Sequence, residues 1–379
     1  MSATQRYLDC NATCPPIEEA LEAQQATARR AFGNPSSLHW AGREARRVLD
    51  DARDRLAGFV GAESGSIVFT SGGTEANNLA IQGWCRGQQP GRIVTSAIEH
   101  PSVLRPLERL EAQGWEVVRL RPGADGVVSA ESFAAALERP AKLVVLMAAN
   151  NETGALQPVA RVGALCRERG VVFFVDAVQA LGKQTVDVRA WHANMAAFSA
   201  HKIGGPRGVG ALMVRRGLKI AELAPGGGQE RRRRSGTENV PGIAGFAAAL
   251  GQVDFEALRP LRDAFEARLR EALPDVRIFA ADAPRTPNTS MFCVPGLEGE
   301  TLLMQLDLAG FAVASGSACS SGKREPSHVL LAMGASDMEA KSSIRVSFAP
   351  SSTMEDAWAL VDELVRIRQR LRRMAGVAA

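Results

Sequence analysis

A chain of 379 residues has room for two domains and a core that needs no disulfide or metal staple. Its 46% hydrophobic and 23% charged content excludes a disordered or fibrous chain. With 45 basic against 41 acidic residues, the net +4 is too thin an excess to mark a nucleic-acid binder.

In chain order, apolar residues at three-to-four spacing predict a helix over 38–60, stopped by Gly61. Short runs then predict strands over 66–70, 92–96, 143–148, 171–175, 196–199 and 209–214. Several are apolar on both faces, the mark of a parallel sheet between helices. Pro158 suits the first turn of a helix reaching Arg169. Near residue 253 the texture changes. A charged helical stretch over 254–273 leads to shorter strands over 276–279, 289–294 and 344–348, with a last helix over 354–374. The alternation predicts an α/β fold. Its large domain, residues 15–252, holds a mainly parallel sheet between helices. Residues 1–14 join 253–379 in a smaller α+β domain. No apolar run reaches the ~18 residues of a membrane span. MSATQRYLDCNATCPP lacks the apolar block of a secretory leader. With six scattered cysteines and no disulfide framework, a cytoplasmic setting and no membrane contact are expected.

Three motifs carry chemistry. FTSGGTEANN, from Phe69 to Asn78, passes from strand through two glycines into a helix, where backbone N–H groups and the dipole favour a phosphate. VVFFVDAVQALGK places Asp176 at the carboxyl end of a buried strand, where open α/β sheets hold their ligands. AFSAHKIGGPRGVG sets Lys202 between a short strand and a glycine turn, with Ser199 and His201 beside it. A lysine so placed can bond to a carbonyl cofactor. Phosphate cradle, acid and lysine together point to pyridoxal 5′-phosphate (PLP). His100 in IEH follows a strand and could lie over a planar ring, while Asn150, Asn151 and Thr153 crowd another strand end. In ASGSACSSGKREPSHVL, Cys319 sits among Gly and Ser near Lys323 and Arg324, the neighbours that favour a nucleophilic thiolate. Cys85, Cys166 and Cys293 read as small core residues. Cys10 and Cys14 lack further ligands at metal spacing, so no metal site is expected.

YLD, GNPSS, SGGTEANN, IEH, NNETG, DAVQ, SAHKIGGP, RSGTENV, SGSACSS and IRVSF fall in order across nearly the whole chain. With them the chain resembles the cysteine desulfurases of the nitrogen-fixation and iron–sulfur-assembly type, class V aminotransferase-like PLP enzymes of fold type I. The resemblance implies that Lys202 holds PLP and moves the Cα proton, Asp176 pairs with the pyridinium nitrogen, Gln179 meets the phenolic oxygen and His100 stacks on the ring. It implies that Gly73, Thr74, Ser199 and His201 bind phosphate, with Thr237 reaching in from the second subunit of a homodimer. Asn151 also borders the cofactor and, with Arg345, holds the carboxylate of L-cysteine. Cys319 takes the sulfur as a persulfide and passes it to an acceptor such as an iron–sulfur scaffold or sulfur carrier. The chain departs from the family at Cys10 and Cys14, at Ala349-Pro350, in the extra arginines of 231–234, and in ending soon after Leu371. The alternatives are a selenocysteine lyase or an aminotransferase of the same class; Cys319 weighs against the latter. The arginine run is read as meeting phosphate or a subunit interface rather than nucleic acid.

Overall fold

The structure, a computed structural model, describes residues 5–315 and 326–374. A two-residue strand, β1 (Arg6–Tyr7), opens it, followed by helices Glu18–Arg30 and Trp40–Phe59. The second helix begins at Trp40 because His39 caps it, its Nδ1 accepting from the Gly42 N–H. Ala45, Leu49, Ala52 and Leu56 form the buried stripe that their spacing predicts.

Seven strands build the main sheet: β2 (Ile67–Thr70), β3 (Arg92–Ser96), β4 (Glu116–Leu120), β5 (Leu143–Met147), β6 (Val172–Asp176), β7 (Met195–Ser199) and β8 (Gly210–Val214). Their order is β2-β8-β7-β6-β5-β3-β4. The run from β7 to β4 is parallel, and β8 lies antiparallel to both of its neighbours. The fold is α/β with a mainly parallel sheet between helices. β4 was not foreseen from the sequence: it is the sheet edge, half-exposed along EVVRL, and lacks the continuous apolar run of a doubly covered strand. β6 extends one residue past the expected end, so Asp176 is its last residue and pairs in register with Met147 and Ala197.

A second sheet takes β9 (Arg277–Phe279), β10 (Thr289–Cys293) and, beyond the short β11 (Phe311–Ala312), β12 (Ala314–Ser315) and β13 (Ser343–Ser347). It is antiparallel, in the order β12-β13-β10-β9. β1 pairs in parallel with β11, Arg6 opposite Phe311. Under this sheet Phe265 meets Phe292 and Phe348 with ring centroids 5.8 and 5.6 Å apart. The final helix, Met354–Met374, spans the expected residues and packs on helix Arg259–Ala272.

The arginine run lies near β2. Arg53 and Glu230 form a bidentate pair at 2.7 and 2.9 Å, their side chains 5% and 1% exposed. Glu230 also accepts from the Phe69 N–H at 2.9 Å. Arg231 donates to the carbonyls of Ser64, Gly65 and Ile67, and Arg234 pairs with Glu75. Two of the four arginines are thus engaged within the fold.

Candidate active site

The carboxyl ends of β5, β6 and β7 bring Met147, Asp176 and Ser199 to one cavity of about 300 Å³. Gly73, Thr74, His100, Asn151, Gln179, His201, Lys202 and Arg345 line it as well. Of the residues expected at the site, Thr237 is exposed and does not line this cavity, and Cys319 lies outside the described residues. The chain on either side of the Cys319 segment is tied near the cavity. Ala314 in β12 pairs with Arg345, and beyond the segment Ser327 Oγ donates to Glu152 while His328 Nε2 lies 3.0 Å from the Glu99 carbonyl.

At one end of the cavity, helix Gly73–Cys85 begins. Gly72 has φ 155° and ψ −179°, a conformation reserved to glycine, and a Cβ on Gly73 would fall 2.7 Å from Val178 Cγ2. Ser199 Oγ is buried there without a hydrogen bond among the described residues. His201 Nδ1 lies 3.1 Å from Thr13 Oγ1, and burial, with Lys202, Arg207 and Lys183 adding, pushes its imidazole down to about 4.

Asp176 accepts from the Val178 N–H at 3.0 Å and from Asn77 Nδ2 at 2.7 Å. Asn77 Nδ2 also donates to Ser102 Oγ at 2.8 Å. That hydroxyl is 2.7 Å from His100 Nδ1, which also accepts from the Ser102 N–H. Nδ1 is thereby an acceptor, and the proton of the neutral ring sits on Nε2. Burial keeps that ring neutral by pulling its pKa down, with the Asp176 charge opposing.

Glu99, buried beside these groups, accepts from Ser96 Oγ and the Met147 N–H, while its Oε2 has no partner among the described residues. Burial pushes its carboxyl up to about 8. Glu152, equally buried, is pushed up to about 7.

Lys202 Nζ donates to the carbonyls of Asn11 and Ala12 at 2.6 and 2.8 Å. Arg345 donates to Asp9 Oδ1 at 2.7 Å and to the Asn151 carbonyl at 3.0 Å. Its charge is therefore already half-answered by Asp9. Arg345 Nε is buried with no partner among the described residues.

Reading the sequence missed Asp9, Asn11, Asn77 and Lys183. Asn11 is the node of the site floor, yet it stands far from every other site segment along the chain and only β1 and the turn after it bring it in. Lys183, four residues beyond Gln179 in the turns that follow β6, donates to the Gln179 side chain at 2.7 Å, a contact with no helical periodicity to announce it. Cys10 and Cys14, both buried, hydrogen-bond each other, which pulls the Cys10 thiol down and pushes that of Cys14 up.

Residues 6–360 match the family model for class-V aminotransferases. A cysteine desulfurase, IscS, of Dictyoglomus turgidum is 40% identical over 374 residues, 97% of this chain and 95% of that one. Among solved structures, a NifS-like protein superposes with a TM-score of 0.89 at 32% identity, over 97% of this chain and 100% of its own. The protein SspA, solved in complex with cysteine, gives 0.83 at 31% identity, over 92% and 100%. By this family match and these near full-length relatives, the chain belongs to the class-V aminotransferase family and, within it, to the PLP-dependent cysteine desulfurases of the NifS and IscS type.

Proposed function

We propose that this cavity holds PLP and that the protein removes sulfur from L-cysteine, releasing L-alanine and leaving a persulfide on Cys319 for an acceptor. The observation that carries the reading is the convergence on one cavity of Lys202, Asp176 and a buried Ser199 hydroxyl that has no hydrogen bond among the described residues. These residues fit the group. The glycine-lined start of helix Gly73–Cys85, with Thr74, Ser199 and His201, suits its phosphate; Asp176 suits a protonated ring nitrogen; Gln179 faces the same space. When bound, PLP supplies an electron sink that makes the Cα–H of an attached amino acid acidic.

Lys202 would hold the cofactor and then carry the Cα proton on Nζ. Its two carbonyl acceptors aim that nitrogen into the cavity. Asp176, its orientation held by Asn77 and the Val178 N–H, keeps the ring nitrogen protonated. His100, neutral and with its Nε2 proton assigned, lines the same cavity and would lie over the ring of the bound cofactor. Arg345 and Asn151 hold the substrate carboxylate, which competes with Asp9 for the guanidinium. Cys319 Sγ, as thiolate, would attack the substrate sulfur; the S–S bond forms as the Cβ–S bond breaks, and the electron pair left on Cβ takes a proton to become the methyl group of L-alanine.

SspA bound to cysteine supports L-cysteine as substrate. We assign Thr237 to the phosphate of a second copy in a homodimer, a role its exposure permits. The acceptor is read as an iron–sulfur scaffold or sulfur carrier in the cytoplasm; no helix among the described residues is long and apolar enough to cross a membrane. A division into 15–252 and 1–14 with 253–379 is supported by the antiparallel sheet, built wholly after residue 253, and by the β1–β11 pairing.

Borohydride reduction of the yellow protein should fix PLP to the peptide containing Lys202, and L-cysteine should yield alanine and Cys319 persulfide in equal amounts before any acceptor is added. A protein left colourless by PLP, or labelled on another lysine, would sink the reading.

A further inference from the structure

Lys183 is buried at 4% exposure, and its ammonium donates to two uncharged amide oxygens. Its Nζ donates at 2.7 Å to Asn11 Oδ1 and at 2.7 Å to Gln179 Oε1, and it lies 5.6 Å from the Phe255 ring centre. Taking an ammonium out of water costs several kcal/mol unless strong contacts repay it. A methionine or leucine would fill such a core position without that penalty, so the cation has a use.

Its use follows from donor and acceptor chemistry. An amide has two nearly isosteric orientations, and only its partners decide between them. An ammonium can only donate, so the Gln179 atom facing Lys183 must be oxygen. A carbonyl can only accept, and Gln179 Nε2 lies 2.9 Å from the Asn11 carbonyl. Both ends of the amide are therefore set by groups that cannot exchange roles. Asn11 is fixed in turn: Oδ1 takes Lys183 and Asn288 Nδ2, while Nδ2 donates to Thr289 Oγ1 at 2.9 Å. The Asn11 carbonyl that receives Gln179 also receives Lys202 Nζ at 2.6 Å. Lys183 thus braces, through Asn11, both Gln179 and Lys202, the two side chains that would hold the cofactor.

We propose that Lys183 is a positioning residue that holds the Gln179 amide with its N–H, and never its oxygen, turned to the cofactor's phenolic oxygen. The inference rests on the reading that PLP occupies the cavity with Gln179 at that oxygen. An N–H given to an oxygen favours its ionised form. Without the Lys183 clamp the amide samples both orientations, the ionised form loses that support, and the group sharing a proton with the phenolic oxygen becomes more basic.

The test is a pH titration of the visible absorption band of the PLP-loaded protein. Lys183→Met should move the midpoint upward by about twofold or more in proton affinity, since the freed amide still turns its N–H to the oxygen part of the time. Gln179→Leu, which removes that N–H altogether, should move it by about tenfold, the scale of one hydrogen bond to an ionised group, and the double variant no further, because the lysine acts only through the glutamine. If Gln179→Leu moves the midpoint and Lys183→Met leaves it at the wild-type value, the proposal is overturned. If Gln179→Leu itself leaves the midpoint in place, or the wild type takes up no PLP, the underlying reading fails instead. Should Lys183→Met not fold, the loaded wild type labelled with ¹⁵N-glutamine decides. Two distinct, slowly exchanging Gln179 amide protons are expected, and a rotating, rapidly exchanging amide overturns the clamp.

Discussion

Asn77 Nδ2 donates at once to Asp176 Oδ2, at 2.7 Å, and to Ser102 Oγ, at 2.8 Å, so one amide links the acid at the end of β6 to the histidine at the start of helix Pro101–Glu111. The acid proposed for the ring nitrogen and the histidine proposed to lie over the ring are thus held by a single connected set of hydrogen bonds. Its weak point is the amide, since Asn77 Oδ1 is buried without a partner among the described residues.

Replacing Asp176 by Asn would turn an amide toward Asn77, leaving two donors opposed and a ring nitrogen with no charge to hold its proton. Asp176→Asn should keep PLP bound yet lower turnover by about 100-fold or more. Asn77→Leu should fall between this variant and wild type, because it frees the orientation of Asp176 but leaves its charge. Steady-state alanine formation checks both, and an Asp176→Asn enzyme of normal rate would reverse the assigned orientation.

Lys202 and Cys319 are expected to fail at different stages. Lys202→Ala should bind PLP without a reducible bond and exchange no Cα deuterium from labelled L-cysteine. Cys319→Ser should exchange that deuterium at near the wild-type rate but accumulate no protein-bound persulfide. Mass spectrometry of the recovered L-cysteine reads the exchange, and that of the intact chain reads the persulfide. Persulfide on Cys319→Ser would move the nucleophile to another thiol.

Glu99 should make stability depend on pH in a definite direction. Burial first, then the Asp176 charge, raises its carboxyl from 4.5 to about 8, against the pull of Ser96 and the Met147 N–H. The folded state therefore holds this proton more tightly than the unfolded chain does. Its contribution is fully present below about pH 4.5 and is lost as pH rises toward about 8. Glu99→Gln carries no such proton, so the melting temperature of the variant relative to wild type should rise between pH 5 and 8. Parallel curves would show that Glu99 ionises as freely in the fold as outside it.

Arg53 and Glu230 form a buried pair that also anchors Ile67 and Phe69 by their backbones. Glu230, Arg231 and Arg232 run through positive φ of 45°, 58° and 60°, conformations that L-residues hold only under constraint. Arg53→Met leaves an isolated buried carboxylate and should cost about 3–5 kcal/mol. The double change Arg53→Met with Glu230→Met should recover much of that loss, as denaturant melts would show. Equal losses in the single and double variants would mean that the pair's worth lies in the backbone it pins.

Much of this protein is legible in its sequence because the signals are local. Strands covered on both faces carry short runs rich in apolar residues, which is why β2, β3, β5, β6, β7 and β8 could be read directly, whereas β4, half-exposed at an edge, could not. Gly73, Asp176 and Lys202 were legible for a related reason. A strand end followed by a glycine turn is where an open α/β sheet presents its ligand groups, so each residue advertises its place within a few neighbours. The fold alone decided how those segments meet. Asn11 enters the site because β1 pairs with β11 and the following turn bonds to Ser347, contacts separated by hundreds of residues that leave no periodic trace in the chain. The clamp of Lys183 on Gln179, the Asp9 counter-charge on Arg345 and the raised Glu99 carboxyl all depend on burial and on which donor faces which acceptor. Desolvation and hydrogen-bond direction are properties of three-dimensional neighbours, and a sequence lists only covalent ones.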